Sequence, residues 1–178
     1  KDLDFKTKSD GSLIKIENLD SVTFKECKFT SGSEISQSIL INIINTDTEI
    51  DTFDFDFKNL GEDQYLTSPI LSFTGDKSSY DAILTFSVSD VKFKNTEKSN
   101  GGILKSINYN IDIDESMFST INVSENSHDV YIVNFDQSDF SKNITFSIEN
   151  SIFIEISTSK FIINSKSEFS IEECEFEG

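Results

Sequence analysis

The chain has 178 residues and a formal net charge of -17, from 32 acidic residues against 15 basic ones, every one of them lysine. That balance excludes a nucleic-acid binder, because phosphate backbones are neutralised by Lys and Arg, and it is badly matched to an anionic membrane surface. The length fits one domain of about 150 residues or slightly more, and 17 phenylalanines with many isoleucines supply enough apolar mass to argue against disorder.

No apolar run approaches the ~18 residues of a transmembrane helix, and Lys1-Asp2-Leu3-Asp4 does not read as a signal peptide. Taken in order, the apolar positions alternate every second residue in short segments, which is the strand period. Leu3-Asp-Phe5 opens as a clipped unit. Leu13-Ile14-Lys-Ile16 is the first apolar strand. Val22-Thr-Phe24-Lys-Glu-Cys27-Lys-Phe29 is the first full copy of a unit Φ-x-Φ-x-x-s-x-Phe, where Φ is apolar and s is a variable inward position. Ile39-Leu40-Ile41-Asn-Ile43 precedes a second copy, Ile50-Asp-Thr52-Phe-Asp-Phe55-Asp-Phe57, which departs from the pattern at Thr52 and Phe55. Ile70-Leu71-Ser-Phe73 precedes Phe86-Ser-Val88-Ser-Asp-Val91-Lys-Phe93. Ile103-Leu104 with Ile107 precedes Ile111-Asp-Ile113-Asp-Glu-Ser116-Met-Phe118. Val130-Tyr-Ile132-Val133 precedes Phe146-Ser-Ile148-Glu-Asn-Ser151-Ile-Phe153, and Phe161-Ile162-Ile163 precedes Phe169-Ser-Ile171-Glu-Glu-Cys174-Glu-Phe176.

A variable period in the twenties and thirties, with at least two short strands per unit, predicts an all-β parallel solenoid of about six to seven coils spanning 1–178 as one domain. Stacked at about 4.8 Å per coil, it forms a rod some 30 Å long. The break in alternation is a corner, and 58–69, 74–82 and 94–102 are loops. An antiparallel sandwich or barrel is the competing architecture, but it does not explain why Phe returns to one slot. The returning residues, Phe29, Phe57, Phe93, Phe118, Phe153 and Phe176, are the expected buried stack.

The copies at 111–118 and 146–153 resemble the coil signature of the right-handed parallel β-helix of the pectin-lyase-like superfamily. Handedness is implied by that resemblance alone. Phe93-Lys-Asn95 followed by Gly101-Gly102-Ile103-Leu104 is similar to repeats of polymorphic outer-membrane-type surface proteins. The superfamily is rich in glycoside hydrolases and lyases. Many of its polysaccharide lyases use an arginine base, and this chain has no arginine. Asn45-Thr46-Asp47 matches one polygalacturonase motif by letters, but no Asp-Asp pair or Gly-His-Gly follows.

Chemistry-bearing residues are few. Cys27 and Cys174 fall in the same slot about five coils, or roughly 24 Å, apart. That exceeds the reach of a disulfide, so both are expected as free buried thiols. The fifth position reads Glu26, Asp54, Asp90, Glu115, Asn150, Glu173, an outward acidic column with Asp112 and Asp114 beside it. Like charges at that spacing raise one another's pKa, and oxygen ligands suit Ca²⁺. Asp54, Asp90, Asp112, Asp114 and Glu115 are therefore the expected weak Ca²⁺ site, with a solvated acidic face as the plainer reading. His128 stands alone in a polar loop, and one histidine with two distant cysteines cannot build a tetrahedral Zn²⁺ site. Asn122-Val-Ser124 and Asn143-Ile-Thr145 are sequons. An ice-binding β-helix would want a regular Thr or Ser ladder, which Asp51 and Asp112 break in the second position.

The expected function is non-catalytic. The chain reads as a structural or adhesive segment of a longer β-helix, extracellular or on the cell surface, acting as a stiff acidic rod or fibre component. Expected partners are further coils or copies of itself end to end, and cell-surface glycans, with no nucleic acid and no membrane insertion. The alternative is a carbohydrate-binding or carbohydrate-active domain using the long loops with Asp63 or Asp76.

Overall fold

The computed structural model describes residues 12–31, 39–59, 64–76, 80–94, 102–123, 131–136, 144–157, 160–164 and 168–178. All regular structure among them is strand. The order is β1 (Ile14–Glu17), β2 (Ser21–Thr30), β3 (Ile41–Ile44), β4 (Asp47–Asp56), β5 (Pro69–Thr74), β6 (Tyr80–Phe93), β7 (Gly102–Ile107), β8 (Tyr109–Asp114), β9 (Met117–Val123), β10 (Tyr131–Asp136), β11 (Thr145–Glu149), β12 (Ile152–Ile156), β13 (Lys160–Asn164), β14 (Glu168–Glu172) and β15 (Glu175–Glu177). Two parallel sheets result. One stacks β1-β3-β5-β7-β10-β13. The other joins β2 to β4 and β4 to β6, and from β6 runs through β8-β11-β14 on one side of a corner and β9-β12-β15 on the other.

This is a β-solenoid. Three stretches pass from one sheet into the other without a break in the described residues, 12–31, 39–59 and 102–123. The solenoid amounts to about three turns, not the expected six to seven coils. The links at 77–79, 137–143 and 165–167 lie outside the described residues.

The corners have a shared backbone cause. Eleven described non-glycine residues have positive φ, and they sort by register into three columns. Asn18, Asn45 and Asn108 turn the chain from the first sheet into the second. Glu26, Thr52, Glu115, Asn150 and Glu173 bend the second sheet. Asp90, Thr120 and Glu155 turn it again. One left-handed residue costs about 1–2 kcal/mol for most side chains, and Asn tolerates it best. Ladder bonds on both sides of each corner hold the others there, as where Ile152 N–H donates to Ser116 C=O at 2.9 Å and Glu175 N–H to Ser151 C=O at 2.9 Å.

The register corrects the repeat. Phe29 pairs with Phe55, Phe55 with Val88, Val88 with Phe118, Phe118 with Phe153, and Phe153 with Phe176. Phe57 and Phe93 therefore lie outside the column assigned to them, although both are fully buried. In the second copy Thr48 takes the first inward place. It is 4% exposed, and its hydroxyl donates to Thr46 C=O at 3.0 Å. A threonine spent on its own backbone behaves as an apolar filler. In the third copy β6 crosses the place of the second corner without a bend. Thr52 is extra relative to it, and the register shifts between Asp51 and Phe53. The letters 86–93 match the unit because they contain the third corner, which has the same pattern.

The stack is also not uniformly buried. Phe118 and Phe153 are 1% exposed, Phe29 is half-buried, and Phe176 is 58% exposed. Around it Phe53, Phe55, Phe73, Phe86 and Tyr109 complete an aromatic core with Ile and Leu from both sheets. Gly102 in β7 is buried where a Cβ would lie 2.3 Å from the Tyr131 carbonyl oxygen, so only glycine lets β7 and β10 approach.

Candidate functional site

The slot before the Phe position is filled by Phe53 and Phe86 in the second and third rungs and is a hydrogen-bonding device where it holds serine. The Ser116 hydroxyl accepts from Phe86 N–H at 3.0 Å and donates to Asp114 C=O at 3.0 Å. The Ser151 hydroxyl accepts from Ser116 N–H at 3.2 Å and donates to Glu149 C=O at 2.7 Å. Cys27 and Cys174 hold this slot in the first and last rungs. Their thiols donate to the carbonyl two residues back, Lys25 at 3.5 Å and Glu172 at 3.3 Å. Both are free, as expected, but half-buried rather than buried.

Two further features are not part of the repeat. Asn45 Nδ2 donates to Asn18 Oδ1 at 3.0 Å and to Asp76 Oδ2 at 3.3 Å, while Asp76 N–H donates to Asn45 Oδ1 at 2.9 Å. Asn108 Nδ2 reaches the carbonyls of Gly75 and Asp76 at 3.2 and 2.9 Å. This asparagine ladder satisfies the first corner. Its signal was an Asn three residues before Thr48 and Ile111 and four before Val22. The second feature is Tyr109, whose buried hydroxyl accepts from Thr46 N–H at 2.9 Å and donates to Thr46 C=O at 3.1 Å. Burial pushes its phenol up to about 12. Asn45, Thr46 and Asp76 are thus engaged in holding the corner.

Glu26, Glu115, Asn150 and Glu173 share the expected fifth-position column, and Asp54 and Asp90 fall outside it. Asp54 follows the corner and accepts from the Ser87 hydroxyl at 2.6 Å, and Asp90 sits at the third corner. Neither shares a column with Asp112, Asp114 and Glu115, which lie together on one rung. Glu149 pairs in register with Asp114 on one side and Glu172 on the other. Its pKa is raised by desolvation, then by Asp112, Glu172, Asp114 and Glu173. Elsewhere cations oppose the charge. Lys25 meets Asp51 at 2.8 Å and Lys58 meets Asp56 at 2.7 Å, and both carboxyls lie below their usual range. Among the described residues no three of His, Cys, Asp and Glu are gathered so as to hold a metal ion.

Asn122 is exposed near the end of β9. Asn143, Ser124, His128 and Asp63 lie outside the described residues. Among the described residues no helix is long and apolar enough to cross a membrane. No protein-family model, curated protein or solved structure matches the chain.

Proposed function

We propose that the chain is a non-catalytic structural or adhesive segment of an extracellular or cell-surface protein, a stiff acidic rod. In this reading each repeat is one coil of a right-handed β-helix of the pectin-lyase-like kind.

One observation carries the reading: outward polar side chains are spent on the neighbouring rungs. Lys25 bonds Asp51, Ser87 bonds Asp54, Asn110 bonds Asp81 at 2.7 Å, Ser147 bonds Asp112 at 2.7 Å, and Asn150 bonds Asp114 at 2.9 Å. Bonds that tie each coil to the next stiffen a stack whose repeats contact only their neighbours. A groove for a soluble ligand would instead keep such groups convergent on open space. The test is binding and turnover across a panel of acidic and neutral polysaccharides, with electron microscopy of the isolated protein. Rods without turnover are expected. Turnover of any member would overturn the reading in favour of a carbohydrate-active domain.

A further inference from the structure

We propose that the outer face of β9 and β12 is a docking surface for a cationic amphipathic helix of another protein, which seats aliphatic side chains on Met117, Ile152 and Ile154 and sets lysine or arginine against the glutamates around them.

The register isolates this patch. Past its bend, the second sheet carries two outward columns. One runs Lys28, Asp54, Ser87, Met117, Ile152, Glu175, and the other Thr30, Asp56, Ser89, Ser119, Ile154, Glu177. On β2, β4 and β6 these positions are polar and engaged locally, as where the Ser87 hydroxyl donates to Asp54 at 2.6 Å and Lys58 meets Asp56 at 2.7 Å. On β9 and β12 they give way to Met117, 44% exposed, and Ile152, 37% exposed, with Ile154 half-buried beside them. None of the three serves the core, which takes Phe118, Ile121 and Phe153 from the opposite face of the same strands. Apolar residues exposed singly are ordinary on a protein surface. Ile83 is one of these, 54% exposed and in register between Glu49 and Asp112. Met117, Ile152 and Ile154 differ in being contiguous, which is the mark of a contact surface.

Charge chooses the partner. Exposed Glu115 stands two residues before Met117 at one corner, and exposed Glu155 follows Ile154 at the next. Exposed Glu175 and Glu177 lie opposite Ile152 and Ile154 on the adjoining rung. Ser87 and Ser89 close the remaining side. The lysine of these two columns, Lys28, stands beyond Ser87 and Asp54. Carboxylates around an apolar centre repel a second copy of the same patch and attract a cationic partner. The spacing suits a helix. Met117 and Ile152 sit about 4.8 Å apart on neighbouring rungs, and Ile152 and Ile154 about 6.6 Å apart along one strand. Side chains three and four apart on a helix lie about 5–6 Å from each other. Basic residues on the helix flanks then fall towards the glutamates.

This surface does not depend on the rod reading, since polysaccharide turnover would remove that reading and leave the patch. The full chain is titrated against a fluorescein-labelled helical peptide of leucine and lysine, with leucine at i, i+3, i+4 and i+7. The comparison peptide has alanine at each leucine position, which keeps the charge and the helix. Fluorescence anisotropy reads both. The leucine peptide should bind several-fold more tightly than the alanine peptide. Met117→Ser with Ile152→Ser should reduce the leucine peptide to the affinity of the alanine one. Glu175→Gln with Glu177→Gln should weaken both peptides and flatten their salt dependence. Ile83→Ser removes an exposed isoleucine from a different face and should change neither. Urea midpoints at the wild-type value for every variant separate lost docking from lost folding. Equal affinity for the two peptides would reduce the contact to charge alone and overturn the proposal, as would an Ile83→Ser loss equal to that of the paired serine variant. Self-association abolished by Ile152→Ser would put a second copy on the patch and overturn it as well.

Discussion

Phe118 and Phe153 stack at 4.6 Å with their ring planes 3° apart, and both are buried. Truncating either to Ala removes a core aromatic and leaves a cavity, at a cost of about 3–5 kcal/mol. The ring pair itself contributes about 0.5–1.5 kcal/mol beyond the buried area. Phe118→Ala with Phe153→Ala should therefore fall short of the summed single losses by that amount. Phe93 supplies the control. It is equally buried, but its partner in register is Val123, while the residue beside Phe118 on β6 is Val88. Phe93→Ala should also cost about 3–5 kcal/mol, yet couple to Phe118→Ala by no more than about 0.5 kcal/mol. The assay is urea unfolding followed by far-ultraviolet circular dichroism, because the chain has no tryptophan, with midpoint and slope fitted separately. A Phe93–Phe118 coupling as large as that of Phe118–Phe153 would refute the register. Unchanged midpoints would refute the core.

Ser116→Ala should cost about 1–3 kcal/mol, since Phe86 N–H loses its buried acceptor, and Ser116→Cys should lose less, as Cys27 and Cys174 occupy the same slot; urea midpoints check both. Gly102→Ala should destabilise by about 1–3 kcal/mol through the clash with the Tyr131 carbonyl, read in the same way. Tyr109 has its folded pKa raised from 10.0 to about 12. The unfolded chain therefore loses that proton first, and stability falls as pH rises from 10.0 towards 12. Tyr109→Phe should flatten that part of the alkaline melting profile and cost about 1–3 kcal/mol at neutral pH, because Thr46 loses its partner. Glu149 also has a raised folded pKa, so its charged form opposes folding as pH rises above that value. Glu149→Gln should raise the melting temperature at pH 7 and lose the gain below the ordinary glutamate value of 4.5; equal melting curves at pH 7 would show that the stacked carboxylates do not repel.

The architecture was legible because inward positions alternate by chemistry, and phenylalanines such as Phe118 and Phe153 mark them on successive rungs. The columns were less legible, for two physical reasons. Thr48 reads as polar until its hydroxyl is seen to close on Thr46. The unit Φ-x-Φ-x-x-s also describes any corner, so Val91 and Phe93 after the third corner mimic Cys27 and Phe29 after the second. A count of letters cannot separate two corners of one coil. The acidic column was misplaced by the same slip, since Asp54 and Asp90 entered it only through the false alignment. Corner asparagines were within reach of the sequence, because a recurrent Asn just ahead of a strand is a left-handed turn signal. Tyr109 was not, since nothing in its neighbours announces Thr46 as a partner.

A net charge of -17 would ordinarily oppose a compact stack. The outward columns show how it is tolerated. Asp51, Asp54 and Asp112 each face a donor on a neighbouring rung, Lys25, Ser87 and Ser147, and Asp114, stacked on Glu149, takes a bond from Asn150. The pattern fails at Glu149 and Glu172, and it fails towards the last rung, where glutamates follow without a lysine between them. Lys25 and Lys28 stand in β2. Carboxylate repulsion therefore falls on the stacked Asp114, Glu149 and Glu172 rather than evenly along the second sheet.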